Sequence, residues 1–191
     1  MAANALEARR QAALAREKIR RYDIVSIVLH WLTVLLVLVQ IVAGLVMTDL
    51  ERGTTQDVLY YTHKSVGIAV LLVVLLRLLW RIGHPWPPLP PDTPSAQAGL
   101  ARLNHLLLYV MLLVMPISGF VFTAAGGYPV PFFGLVDLTG VIAKNPDLAK
   151  TAQWVHLSAQ WVVYALVALH VLGALYHLVV RKDGVFQRMW P

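Results

Sequence analysis

The sequence contains no cysteine. That excludes disulfides, iron–sulfur clusters and thiolate zinc sites, and it leaves histidine as the one strong soft ligand. Charge is also scarce: Asp, Glu, Lys and Arg make up 14% of the 191 residues, against about 25% in a soluble domain. Hydrophobic residues make up 58%. The chain shows no Ser–His–Asp set for nucleophilic catalysis and no glycine-rich nucleotide loop. The net charge of +6 would suit nucleic acid in a soluble protein. In so apolar a chain it marks basic cytoplasmic ends, so no nucleic-acid partner is expected.

What the chain has in abundance is long apolar runs. Four stretches each approach or exceed the ~20 residues needed to cross a bilayer. They run from about Ile24 to Met47, Tyr60 to Trp80, Leu103 to Thr123 and Gln153 to Val180. Continuous runs of this length are helices rather than barrel strands, which alternate. The expected fold is all-α, an integral membrane four-helix bundle in contact with lipid. Residues 1–21 (MAANALEARRQAALAREKIRR) form a separate N-terminal tail, equally compatible with a surface helix and with disorder. The membrane domain is residues 22–191. The first apolar run is too long for a signal peptide and lacks a small-residue cleavage site after it.

Basic residues give an orientation. The tail, the flanks of the second connection (Arg77, Arg81, Arg102) and the C-terminal end (Arg181, Lys182, Arg188) hold twelve of the sixteen Lys and Arg. The other side holds Arg52, Lys64, Lys144 and Lys150. The positive-inside rule then places both termini in the cytoplasm. The inner connection, HPWPPLPPDTPSAQ, reads as an extended strap because proline cannot continue a helix. The outer connection, Ala124 to Lys150, carries Phe132, Phe133 and Leu135 and is expected to lie on the membrane face or cap the bundle.

Seven histidines sort by depth. His30 is near the inner end of the first helix and His63 near the outer start of the second. His156 and His170 lie in the fourth helix. Fourteen residues separate these two, which returns to nearly the same helix face about 21 Å further along. Two level pairs follow: His63 with His156 toward the outside, and His30 with His170 toward the inside. Zinc or copper sites gather three or four close ligands. Two-by-two pairs on facing helices suit two b-type haems, each iron held by two imidazoles. His105 reads as an interior or interfacial histidine and His84 as a solvated loop residue.

Other residues fall on the same levels. Gly44 lies 14 residues after His30 and Gly119 14 after His105, both at the outer level. Gly67 and Gly173 closely follow His63 and His170. These glycines serve either a flat macrocycle between helices or close helix packing. Arg77, 14 residues after His63, sits at the inner level, where it either pairs with haem propionates or snorkels to headgroups. His177 stays on the ligand stripe below His170. It either meets a quinone head group and carries its proton or simply sits among lipid headgroups.

The motifs YDIVSIVLHW around His30, HKSVGIAVLLVVLLRLLWR after His63, the PWPP strap, LNHLLLYVMLLVMPISGF, WVHLSAQWVVYALVALHVLGALYH and the terminal KDGVFQRMWP occur in order over residues 22–191. In this the chain resembles the prokaryotic cytochrome b561 family, in particular its small di-haem members of the superoxide oxidase type. The resemblance implies two haem b, with His30 and His170 on the inner iron and His63 and His156 on the outer. It also implies an inner quinone site near His177. A basic residue of the inner connection assists that site in such members, whereas here the strap after the prolines has Asp92 and no lysine.

The expected activity is oxidoreductase electron transfer across the membrane, from superoxide outside to ubiquinone near the cytoplasm. Lys64, Lys144 and Lys150 could attract the anion. A second reading is an electron-transfer anchor linking a periplasmic redox protein or dehydrogenase to the quinone pool. A third is a non-redox transporter or scaffold. The expected location is the bacterial inner membrane, multi-pass.

Overall fold

The computed structural model describes residues 21–191. The expected surface tail, apart from Arg21, lies outside the described residues. Four helices make up most of the rest: α1 (Ile24–Asp49), α2 (Thr54–Gly83), α3 (Ser95–Ala125) and α4 (Pro146–Leu175). A two-stranded hairpin, β1 (Pro131–Phe132) with β2 (Val136–Asp137), connects α3 to α4. Beyond α4 the helix continues through a π-helical turn, Tyr176–Arg181, and a short 3-10 turn follows at Phe186–Arg188.

The four spans are 26, 30, 31 and 36 residues long. At ~1.5 Å per residue each exceeds the ~30 Å hydrocarbon core. The chain is therefore the four-helix membrane bundle its apolar runs imply, with helices longer than those runs. α2 starts at Thr54 rather than Tyr60, α3 at Ser95 rather than Leu103, and α4 at Pro146 rather than Gln153. Hydropathy misses these polar first turns, while local chemistry starts the helices. Asn145 accepts the Leu148 N–H at 3.1 Å and Pro146 supplies a pre-set φ at the first position of α4. At α1, the Asp23 carboxylate accepts the Ser26 backbone N–H at 2.9 Å and its hydroxyl at 2.6 Å.

Helix packing is uneven. α3 packs most extensively against α4, and α1 against α2, with a lesser α2–α3 contact. Among the described residues α4 makes no comparable contact with α1 or α2. The buried residues are mostly small, such as Ala43, Ser65, Val74, Ser118 and Ala159, and none of them is aromatic. Small residues let membrane helices approach closely. Two polar links tie helices together: Asn104 Nδ2 donates to the Leu166 carbonyl at 3.1 Å, and Gln40 Nε2 to the His63 carbonyl at 2.8 Å.

The two ends of the bundle differ. At the strap end, residues 21–23, the proline strap and the C-terminal segment are knit together. Arg21 donates to the Trp190 carbonyl, Tyr22 N to Arg188 O at 3.1 Å, and Trp31 Nε1 to Met189 O at 2.8 Å. His84 is not the solvated loop residue its sequence position suggests. It caps α2, with its ring stacked on Trp80 at 3.9 Å and its Nδ1 3.1 Å from the Trp80 carbonyl. At the opposite, hairpin end, the α3–α4 connection closes over α2. Lys64 Nζ donates to Pro129 O at 2.7 Å, Ser65 Oγ to Pro131 O at 3.1 Å, and Phe133 N to Ser65 Oγ at 3.1 Å. The hairpin turns through Phe133 and Gly134, both at positive φ (50° and 71°), where glycine is the cheaper occupant.

Candidate functional site

The helices bring the four interior histidines together as two facing pairs. His30 of α1 faces His170 of α4 with ring centres 6.1 Å apart. Toward the hairpin end, His63 of α2 faces His156 of α4 at 6.2 Å. A metal bridging two imidazoles, with bonds of about 2 Å on each side, separates ring centres by about 6 Å. Both pairs therefore have room for one iron. Among the described residues, each pair joins helices that are not extensively packed on each other.

The surroundings of the hairpin-end pair support this. Met115 O lies 2.9 Å from His156 Nδ1 and Ser118 Oγ lies 3.3 Å from it. The carbonyl can only accept, so Nδ1 carries the proton and Nε2 keeps its lone pair for a metal. A Cβ on Gly119 would fall 2.9 Å from His156 Cε1, and one on Gly44 would fall 3.5 Å from His63 Cε1. Gly119 thus makes room for the His156 ring, whereas a Cβ on Gly44 would meet His63 only at ordinary contact distance. Gly67 has a different role: its missing Cβ admits Gln40 Nε2, 2.9 Å away. Gly173 faces open space within 4 Å. The His63 Nδ1 and Gln40 Oε1 atoms are buried and have no partner among the described residues.

At the strap-end pair, Arg77 Nη2 lies 3.4 Å from His30 Nδ1, and its guanidinium lies over the Tyr109 ring at 5.5 Å. The level assigned to Arg77 from its spacing is the level it occupies. His105 is a further histidine here, 5.2 Å from His170 and 5.7 Å from Trp86. That ring separation is too short for an iron between His105 and His170.

His177, below His170, is held by a carboxylate no spacing rule pointed to. Asp183 Oδ2 accepts from its Nδ1 at 2.8 Å and from Arg181 Nε at 3.0 Å. Arg181 Nη2 in turn donates to Asp92 at 2.8 Å and Nη1 to Gln97 at 3.2 Å. Burial alone would raise the Asp183 pKa, but the hydrogen bonds from His177 and Val185 and the Arg181 charge hold it below the ordinary carboxylate value. Left-handed Lys182, whose N–H reaches the His177 carbonyl at 2.8 Å, turns the chain so that Asp183 folds back. Asp92 of the strap is therefore an anchor for Arg181.

Of the lysines at the hairpin end, Lys64 is engaged with the loop carbonyl. Lys144 and Lys150 share a cavity of about 260 Å³ with Phe122, Tyr128 and Gln153.

A membrane four-helix bundle whose interior presents facing histidine pairs defines the class of membrane b-type cytochromes. Within that class the chain belongs to the prokaryotic cytochrome b561 family, whose family model matches residues 21–191. It is 34% identical to cytochrome b561 homolog 2 of Escherichia coli, over 88% of this chain and 90% of that protein. It is 31% identical to the probable superoxide oxidase CybB of Yersinia pestis, over 90% and 97%. It is 30% identical to cytochrome b562 of Cereibacter sphaeroides, over 88% and 94%. The chain is accordingly a haem-binding, multi-pass electron-transfer protein of the bacterial inner membrane.

Proposed function

We propose that the protein holds two haem b, one between His30 and His170 and one between His63 and His156, and oxidises superoxide while reducing ubiquinone. The observation that carries this reading is the near-equal ring spacing of the two pairs, 6.1 and 6.2 Å, across helices that are not extensively packed on each other. The bound haems supply one-electron chemistry at two depths about 21 Å apart along α4. In this reading the strap end faces the cytoplasm and the hairpin end the periplasm, as the excess of basic residues favours.

The reaction balances as two superoxide ions, one ubiquinone and two protons giving two dioxygen molecules and ubiquinol. Each superoxide gives up one electron at the hairpin end. Lys144 and Lys150 share a cavity one turn from His156, through Gln153, and offer positive charge to an arriving anion. At the strap end ubiquinone takes up two electrons and two protons. The Asp183 carboxylate fixes the His177 ring through Nδ1, leaving Nε2 free to exchange a proton with the quinone oxygen. Hydrogen bonds from His177 and Val185, with the Arg181 charge beside them, hold the Asp183 carboxyl below the ordinary carboxylate value against the pull of burial.

The likeness to a probable superoxide oxidase supports the donor. A second reading, an electron-transfer anchor for a periplasmic partner, is favoured by the apolar surface at the hairpin end. Phe133, Leu135, Val136 and Val141 are 47–78% exposed there, more than a surface facing only water needs. Purified protein in lipid vesicles supplied with superoxide and ubiquinone separates the two. Quinone reduction faster than with free haem, lost in His63→Ala, supports the oxidase. Reduction only when a soluble periplasmic donor is added supports the anchor.

A further inference from the structure

Three guanidinium groups, those of Arg77, Arg81 and Arg188, lie at the strap end, and among the described residues no carboxylate pairs with any of them. Arg188 is 5% exposed, the most deeply buried charged residue described. Its Nη1 donates to the Pro88 carbonyl at 2.5 Å, and its Nε has no partner among the described residues. Arg81 shows the same pattern. Its Nη1 donates to the His84 carbonyl at 2.8 Å while its buried Nε is unpaired. Arg77 reaches toward His30.

Aromatic rings surround Arg81. Arg81 lies over Tyr22 at 5.3 Å and over Trp86 at 5.9 Å, and Trp86 touches His105, which touches His170. Tyr22 also donates its backbone N–H to the Arg188 carbonyl. Burial raises the Tyr22 pKa against the pull of Arg81, Arg188 and Arg77, so the phenol stays neutral and supplies no counter-charge. The ion pairs formed by aspartates at this end go to Arg181 and His177 instead, and Asp23 is held by Ser26 and Trp80.

Unpaired buried charge is expensive, and removing its intended partner leaves an orphaned donor. An arginine fork matches a carboxylate in geometry as well as charge. We infer that Arg81 and Arg188, with Arg77, form the receptor for the two propionate carboxylates of the haem held between His30 and His170. The inference rests on the two-haem reading above. It assigns to the C-terminal segment a direct part in cofactor binding, and it gives the docking of Arg188 against the proline strap a purpose: the receptor closes only when that segment is in place.

The test uses the purified holoprotein in lipid nanodiscs, with haem content and the potentials of the two haems read separately. In Arg188→Gln and Arg81→Gln one haem is lost at least tenfold faster to a haem-scavenging protein, and its potential falls because positive charge beside it is gone. The second haem is unchanged, and Arg188→Lys is intermediate. Protein reloaded with haem dimethyl ester, which lacks both carboxylates, shows no difference between wild type and either Gln variant. The inference is overturned if the Gln variants keep both haems with wild-type kinetics and potentials. It is overturned equally if the difference persists with the ester, or if it appears only in nanodiscs of anionic lipid, which assigns the cluster to lipid headgroups. A wild type that binds a single haem removes the parent reading too, and is recognised before any variant is made.

Discussion

Gly119 lies against the ring of His156, with room for no more than a hydrogen: a methyl group at residue 119 would stand 2.9 Å from Cε1 and 3.1 Å from Nδ1. The ring is already fixed by the Met115 carbonyl, one turn before Gly119 on the same helix. Gly119→Ala is therefore expected to rotate or push the imidazole and weaken the hairpin-end haem, while the strap-end haem stays. The haem-to-protein ratio of the purified variant checks this, falling toward one per chain. A ratio of two with unshifted spectra would show that the ring has slack the structure does not display.

His105 gives the complementary prediction. Its 5.2 Å separation from His170 leaves no place for a metal between them. His105→Ala should retain two haems per chain and lose only packing against His170 and Trp86, seen as a lower thermal midpoint. Loss of a haem in this variant with His30→Ala retaining both would exchange the two assignments.

Asp183 positions His177 through Nδ1, and in the proposed reaction it acts only through that ring. Asp183→Asn is expected to slow quinone reduction about tenfold or more, the low end of what positioned proton transfer contributes. Chemical reduction of both haems by dithionite should be unaffected. Stopped-flow measurement of haem reoxidation by a soluble quinone separates the steps. Unchanged reoxidation at every pH would remove His177 and Asp183 from the proton path.

The N-cap of α1 sets a pH limit. Burial pulls the Asp23 carboxyl upward, but hydrogen bonds from Ser26 and from Trp80 Nε1 at 3.0 Å outweigh it and lower the pKa from 3.8 to about 2. A folded-state pKa below the unfolded one means stabilisation that is complete above about pH 4 and is lost as pH falls toward 2. Thermal unfolding between pH 6 and 2.5 should show this decline. Asp23→Ala should lose about 1 kcal/mol of the cap at neutral pH and flatten that part of the profile.

The histidine levels were legible in the sequence because a helix converts residue spacing into depth. Fourteen residues between His156 and His170 determine both face and height before any neighbour is known. The same rule placed Arg77 at the inner level, where it lies beside His30. Helix ends were less legible, since Thr54, Ser95 and Pro146 begin helices in polar turns outside lipid, where hydropathy carries no signal. The role of Gly67 was ambiguous because only the tertiary structure reveals that Gln40, not a macrocycle, uses the space. Asp183 and Arg188 were out of reach for a related reason. A π-helical turn and a left-handed Lys182 fold the C-terminal segment back, so residues distant by helical periodicity meet the bundle. An Asp six residues after a histidine has no meaning on a regular helix. In hindsight, the KDG sequence that follows the last apolar run was the one available signal for that reversal.

The central claim is that two histidine pairs hold two separate haems. Pyridine haemochrome quantification with a redox titration of wild type, His30→Ala and His63→Ala tests it most directly. Two haems per chain with two resolvable potentials are expected in the wild type, and each variant should lose one haem and keep the other at its original potential. A single haem per chain, or two haems retained in either variant, would contradict the account.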